Sequence, residues 1–324
     1  MAKPVAVVAA FSAGVLPRIL DTIAGGPQPP AADWFLGTYG VNRRASELIC
    51  AAPGCRYAPV FGIQPHTSAA AREGRKLPRA QAAKLDRTRA GHIPGPGVVP
   101  PTDQRAWGIE LGRRFRDQIR ANRDKGVQVD AWQFDEVISQ VVSDARARAF
   151  VGGILRGLAE GRRKLEDRLE QGLVWTAAMA VSGLPGLAIV DDVQRFWEDF
   201  DRAALFLVGE EYPVFRDDAA DVGRGLAAGH RALLASGGEI RKSLGKRYVV
   251  GMTPGWIDSE GLRGNVDGQP FGFVKTWRRG FIQGRCAGQA PRGFGQFNFV
   301  HENARPPRVT EAVTALHEAT ERLA

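Results

Sequence analysis

Three cysteines, three methionines, four tyrosines and five histidines in 324 residues leave little material for several kinds of chemistry. Three cysteines make no disulfide framework, and at least one has no partner within the chain. Cys50 and Cys55, in CAAPGC, either close a short loop disulfide or stay as two thiols, because CxxxxC is neither the CxxC redox spacing nor part of a four-ligand zinc pattern. HxH and HExxH are both missing, so a zinc site has no local signature. No apolar run approaches the ~20 residues that a membrane helix needs. Nor does GxGxxG or GxxxxGK[ST] follow the first apolar run, which removes the usual nucleotide-binding motifs of an open doubly wound sheet.

What is present is the composition of a globular protein, 44% hydrophobic and 24% charged, long enough for one large domain or two ordinary ones. The formal net charge is +9. Much of the excess is local: Arg72, Arg75, Lys76, Arg79, Lys84, Arg87 and Arg89 face only Glu73 and Asp86 within residues 72–89. Such a stretch is either a solvated loop or a patch attracting an acidic glycan or membrane surface. Without an RNA-type aromatic motif or a helix-turn-helix signature, nucleic acid is not the expected partner. Residues 1–16 carry one Lys and an apolar stretch in the manner of a leader, but 4–11 has strand length and reads as the first strand. The compartment stays open: cytoplasmic, or secreted with a leader removed.

Short apolar runs alternate with longer helical ones from end to end, the trace left by parallel βα units. Strands are expected at 5–11, 34–39, 57–62, 127–134, 173–180, 205–209, 248–252 and 294–300. Helices are expected at 14–24, 43–50, 105–125, 138–170, 190–202, 219–235, 273–285 and 309–323. In the third of these, Trp107, Leu111, Phe115 and Ile119 recur every four residues, so one stripe faces a sheet, and Gly126 supplies the exit. Eight strand–helix units are the count of a single (β/α)8 TIM-type barrel domain over 1–324, with residues 64–104 a long, irregular basic insertion after strand 3.

In that architecture the active site collects at the C-terminal strand ends. Two strands stop on paired acids: VQVDAWQFDE at Asp135 and Glu136, and LFLVGEEY at Glu210 and Glu211. Glycosidic bond cleavage needs a proton donor and a second carboxylate, so these four are the candidate catalytic residues. A carboxyl walled by Trp132 and Phe134 and repelled by Asp135 holds its proton to higher pH, which makes Glu136 the preferred donor. Glu210 and Glu211 alternate in direction on an extended strand, so one of them enters the site. Tyr39, Gln133, Tyr212, Trp256, Trp34, Asn298, His301 and His66 are the candidate substrate-binding residues, the aromatics offering faces for sugar rings. A strand-end lysine is missing, which argues against a Schiff-base aldolase. His66, Asp135, Glu210 and His301 offer metal ligands without a metal-binding spacing, so neither a metal nor an organic cofactor is expected.

WQFDE and GEEY resemble strand endings of the (β/α)8 glycoside hydrolases. That resemblance implies a Glu closing strand four as acid/base, with the adjacent Asp–Glu of the hexosaminidase-like families matched by Asp135 and Glu136. It also implies a second carboxylate from strand six at Glu210 or Glu211. The clan with Asn–Glu on strand four and a nucleophile on strand seven matches less well, because YVVGMTPGW ends without an acid.

The expectation is a glycoside hydrolase acting on a carbohydrate. Its rivals are a carbohydrate- or polyanion-binding barrel without catalysis, and a metal-dependent barrel enzyme. Asp135 and Glu136 also read as a helix N-terminus, with Asp135 as cap. Because residues 64–104 combine Pro, Gly and charge with too little apolar content for a core, limited trypsinolysis is expected to cut there first. A first cut elsewhere would remove the insertion from the description of the domain.

Overall fold

The computed structural model describes residues 3–10, 13–28, 30–38, 40–62, 103–135, 145–160, 173–178, 194–203, 205–211, 219–235, 238–252, 279–282, 290–299 and 306–323. The expected insertion at 64–104 lies almost wholly outside them, as do most of the expected helix at 273–285 and residues 138–144 and 161–170 of the helix expected at 138–170. The fold is α/β. Its strands are β1 (Val5–Ala10), β2 (Asp33–Thr38), β3 (Cys55–Tyr57), β4 (Val60–Gly62), β5 (Trp132–Asp135), β6 (Leu173–Ala178), β7 (Phe206–Glu211), β8 (Tyr248–Met252) and β9 (Gly293–Phe299). Its helices are α1 (Leu16–Ala24), α2 (Arg43–Cys50), α3 (Gln104–Asp124), α4 (Ala145–Ala159), α5 (Gln194–Ala203), α6 (Ala219–Ala235), α7 (Glu239–Lys246) and α8 (Pro306–Glu321). Every strand pairing is parallel, in the order β3-β2-β1-β9-β8-β7-β6-β5-β4.

The two ends of that order, β3 and β4, are neighbours in the chain, separated by Ala58 and Pro59. Pro59 has no N–H to give to a ladder, so the expected third strand is interrupted there. On one side the segment bonds β2, with Ala58 N donating to Leu36 O at 2.7 Å and Gly40 N to Val60 O at 2.9 Å. On the other it bonds the β5 region, with Ala131 N donating to Tyr57 O at 3.2 Å and Gln133 N to Pro59 O at 2.8 Å.

Contacts across one face show how far the sheet is curled. Phe35 of β2 and Phe206 of β7 lie four places apart in the strand order, ~19 Å on a flat sheet at ~4.8 Å per strand. Their ring centroids are 5.4 Å apart. This inner face buries Val5, Val7, Ala9, Phe35, Ala58, Val60, Ala131, Phe206, Val208 and Val249 in one cluster of residues drawn from strands and their flanks. The opposite face is covered by helices. There the stripe Trp107, Leu111, Phe115 and Ile119 is buried as its spacing predicts, and Phe115 meets Trp132 edge-on at 5.6 Å.

The strand expected over 127–134 begins only at Trp132. Upstream, backbone carbonyls are taken by side chains instead of a ladder: Ser46 Oγ donates to Gln128 O at 2.7 Å, and Arg123 Nε to Val129 O at 3.1 Å. Asn42 caps α2 and Asp103 caps α3, each accepting an amide N–H at 2.9 Å. Gly126, at φ 78, ends the turn after α3. Helices α3 and α4 touch backbone to backbone, since a Cβ on Gly112 would stand 2.2 Å from Ile154 O and one on Gly157 2.2 Å from Ile109 O. Cys50 and Cys55 are free thiols, their pKa values raised to about 11 and about 12, chiefly by burial. Helix α7 was not expected from the sequence. It is held by His230 of α6, whose Nε2 donates to Gly245 O at 2.8 Å while the ring stacks on Tyr248 at 5.0 Å.

Burial lowers the His230 pKa to about 4, so the ring is neutral in the folded protein at pH 7. A folded pKa below the unfolded value of ~6.5 means that the unfolded chain binds the proton first. This stability is therefore complete above about pH 6.5 and is lost as pH falls toward 4, by about 3 kcal/mol at most. Denaturation at stepped pH should show that slope, and His230→Gln, which keeps a donor but does not titrate, should flatten it.

Candidate functional site

Because side chains alternate along a strand, the inner-face cluster dates each strand's register and assigns its last residues. On β7, Phe206 and Val208 lie in that cluster and Leu207 in the helix-facing one. Position 210 therefore shares the inner face and position 211 the helix-facing side. Just before β5, Ala131 is inward, and Trp132 at its start is outward, which places positions 133 and 135 inward. Through β6 the register puts position 135 level with Thr176 and Val208, and position 210 level with Ala178 and Gly251. Positions 135 and 210 thus share a face near the C-terminal edge of the sheet, two strands apart, with 210 two residues nearer that edge.

A register shift brings a third polar position to that face. Val8 pairs with Gln296 but Ala10 pairs with Phe299, so two residues of β9, at 297 and 298, stand opposite Ala9 alone. Positions 297 and 298, the latter Asn298, therefore share the inner-face place beside Ala9, the kind of re-aiming for which bulges are used. The remaining wall is small. Ala9, Gly37, Gly251 and Gly295 occupy inward positions on β1, β2, β8 and β9, and all four are buried.

Below this rim lies Gln133, whose side chain is fully buried at 0% exposure. Its Nε2 donates to Ala58 O at 2.9 Å and to Val8 O at 3.3 Å. Both carbonyls belong to irregular backbone, the first at the Pro59 interruption and the second beside the β9 register shift. The Ala58 carbonyl turns over Gly37, where a Cβ would stand 1.7 Å from it, so only glycine fits. Gln133 Oε1 is buried and has no partner among the described residues.

Nearby, Tyr57 ties down the loop after β2: its hydroxyl donates to Gly40 O at 3.2 Å and accepts from Asn42 N at 2.8 Å. Burial raises its pKa to about 12, so it stays a protonated phenol. Cys50 Sγ lies 3.6 Å from Asp130 Oδ2, and that carboxylate accepts from Tyr57 N at 2.9 Å. Among the described residues no group of three or more His, Cys, Asp or Glu side chains is placed to hold a metal ion.

Two sequence expectations change. Trp34 is 1% exposed on the helix-facing side, 5.7 Å from the His317 ring of α8, and offers no face to a sugar. Trp132 is likewise outward, packed on Phe115, so it does not wall a carboxyl on the inner face. Both errors have one cause: an indole in a strand reads the same from either face until register is known. Asp135, Glu210, Glu211 and Asn298 are placed by backbone register. Glu136, Tyr39, Tyr212, Trp256, His66 and His301 lie outside the described residues. The small wall of Ala9, Gly37, Gly251 and Gly295 was missed, although AAF, LGTYG, VVGM and GFGQ each show a small residue near a strand end.

No family model matches the chain, and no curated protein matches it. Among solved structures, a family GH18 chitinase from Chromobacterium violaceum is similar at 11% identity and a TM-score of 0.49, over 99% of this chain and 83% of that one. A triosephosphate isomerase from Bartonella henselae is similar at 9% identity and a TM-score of 0.44, over 97% and 99%. An amidohydrolase from Burkholderia multivorans with bound zinc is similar at 16% identity and a TM-score of 0.40, over 100% and 95%.

Replacing Gln133 by Leu keeps the volume but removes both donors, leaving the Ala58 and Val8 carbonyls buried and unpaired. At about 1–3 kcal/mol for each of the two orphaned groups, the expected loss of unfolding free energy is about 2–6 kcal/mol. Urea denaturation of Gln133→Leu within 1 kcal/mol of wild type would mean that the amide does not hold the two irregular backbone segments; that threshold is about the net worth of a single hydrogen bond.

Proposed function

We propose that the chain is a single (β/α)8 barrel domain over residues 1–324 that hydrolyses a glycosidic bond with carboxylates at its C-terminal strand ends. Taking β3 and β4 as one strand interrupted at Pro59 reduces nine strands to eight and joins the two ends of the strand order. The 5.4 Å contact between Phe35 and Phe206 supports the same closure. Residues 64–104 are then the insertion after strand 3.

The observation that carries the catalytic reading is the common inner face of positions 135 and 210 near the C-terminal edge. Two steps of ~4.8 Å across the sheet and two residues of ~3.3 Å along it put their backbones ~12 Å apart, and side chains reaching in from a curved wall converge from there. That spacing suits a bond held between two carboxyls, about 5–5.5 Å apart for retention and about 6.5–9.5 Å for inversion. One carboxyl protonates the glycosidic oxygen, and the other either activates water or attacks the sugar carbon. Mutual repulsion raises the pKa of one of the two, which helps it keep the proton to be donated. Glu210 is preferred over Glu211 as the second carboxylate on grounds of face. For the donor, face favours Asp135, while the chain position just beyond the strand keeps Glu136 as the other candidate. Small residues on the opposing wall leave width for a sugar ring, with Gln133 and Asn298 available to its hydroxyls. Tyr39, Tyr212, Trp256, His66 and His301 remain candidates for the rim. The reaction calls for no organic cofactor.

Turnover of aryl glycosides by Asp135→Asn, Glu136→Gln, Glu210→Gln and Glu211→Gln tests this assignment. Glu210→Gln and one of the first two should fall by about 10²–10⁴-fold, the usual scale for removing a general acid or base. Glu211→Gln should stay near wild type. The donor variant should also lose the alkaline limb of the pH profile and spare substrates with good leaving groups. Greater damage from Glu211→Gln than from Glu210→Gln would overturn the face assignment, and glycan binding without any turnover would leave a non-catalytic carbohydrate-binding barrel.

A further inference from the structure

The geometry points to Gln133 as a specificity-determining residue: we propose that its Oε1 is a fixed acceptor which makes the inner site select a neutral, hydroxyl-bearing ligand and reject the same ligand carrying a carboxylate. This rests on the site location proposed above, not on glycosidic chemistry.

The orientation of the amide follows from its partners. Ala58 O and Val8 O, at 2.9 and 3.3 Å, can each accept but not donate, so the group between them must be the NH₂ and not the carbonyl. A rotated amide would set one oxygen against two others. Both Nε2 hydrogens are therefore committed, and Oε1 is left facing away from those two strands. It is fully buried without a partner among the described residues, a condition that is unfavourable until a donor arrives. The donor can be a hydroxyl or an ammonium. It cannot be a carboxylate or a phosphate, which bring only acceptors.

The charge around Oε1 acts in the same direction. Asp135 and Glu210 share its face, and both accept when ionised. The inner-face arginine that register assigns, Arg56, belongs to the other end of the sheet, over the Phe35 ring and 3.9 Å from Asp33. Among the described inward positions from Gln133 to the C-terminal edge there is no Lys or Arg. The net charge of +9 would by itself suggest an anionic ligand, but described cations such as Arg113 and Arg114 are committed to Glu160 and Glu110 on the outer helices.

Calorimetric titration of the full chain with matched pairs, methyl glucoside against methyl glucuronide and methyl galactoside against methyl galacturonide, tests the proposal. At least one neutral member should bind, and its uronate should bind at least ~10-fold more weakly, as expected when like charges or acceptors are forced together. A uronate that binds as well as its neutral partner, or a panel with no neutral binder, overturns it. Gln133→Lys keeps a donor for Ala58 O and Val8 O but replaces the acceptor with a cation. If it folds by circular dichroism, its selectivity should collapse, and unchanged selectivity would remove Gln133 from the role; if it does not fold, the wild-type pairs decide. Selective binding without hydrolysis would defeat only the paired-carboxylate reading. Hydrolysis with equal use of uronates would defeat only this one.

Discussion

A proline inside a strand leaves a gap in the hydrogen-bond ladder, and the inner face of this protein depends on how that gap is filled. Pro59 offers the ladder no N–H, the Ala58 carbonyl turns inward, and Gly37 is the residue that makes room for it. Gln133 then answers that carbonyl with its side chain and the Pro59 carbonyl with its own backbone N–H. One residue of β5 thus closes a defect between two other strands. It is also the residue next below Asp135 on the same face, so the structural repair and the candidate chemistry share a single stretch of chain.

Face assignment decides which acids can act together. Glu210 and Glu211 are indistinguishable in composition, yet alternation anchored on Phe206, Leu207 and Val208 separates them. The same alternation brings Asp135 inward and sends Trp132 under α3. The Trp132 indole is packed against Phe115 on the helix-facing side of the sheet, so it does not desolvate a carboxyl on the inner face.

Most elements were legible because their apolar periods are unambiguous. The stripe from Trp107 to Ile119 marked α3, and 43–50, 219–235 and 248–252 match α2, α6 and β8 in extent. Failures occurred where the backbone's partners are side chains or distant carbonyls. Val127 to Ala131 reads as strand, but Ser46, Arg123 and Asp130 bind that region and its neighbour instead. Helix α7 has only eight residues, too few for a clear period, and takes its place from His230. At the site, the acidic pairs were visible as strand endings, whereas the inward glycines were not, because a glycine that makes room looks the same in sequence as one that makes a turn.

The extra residue in β9 works like a frame shift within the strand. Up to Gln296 the pairing with β1 runs in one phase, and from Phe299 it runs in the other. A β9 shorter by one residue at this point would pair evenly along its length, and only one of positions 297 and 298 would stand opposite Ala9. The polar character of this sector of the rim is therefore set by strand length as much as by residue identity. Among homologues, a one-residue gap here would change which position stands on the inner face, as no single substitution elsewhere on the strand would.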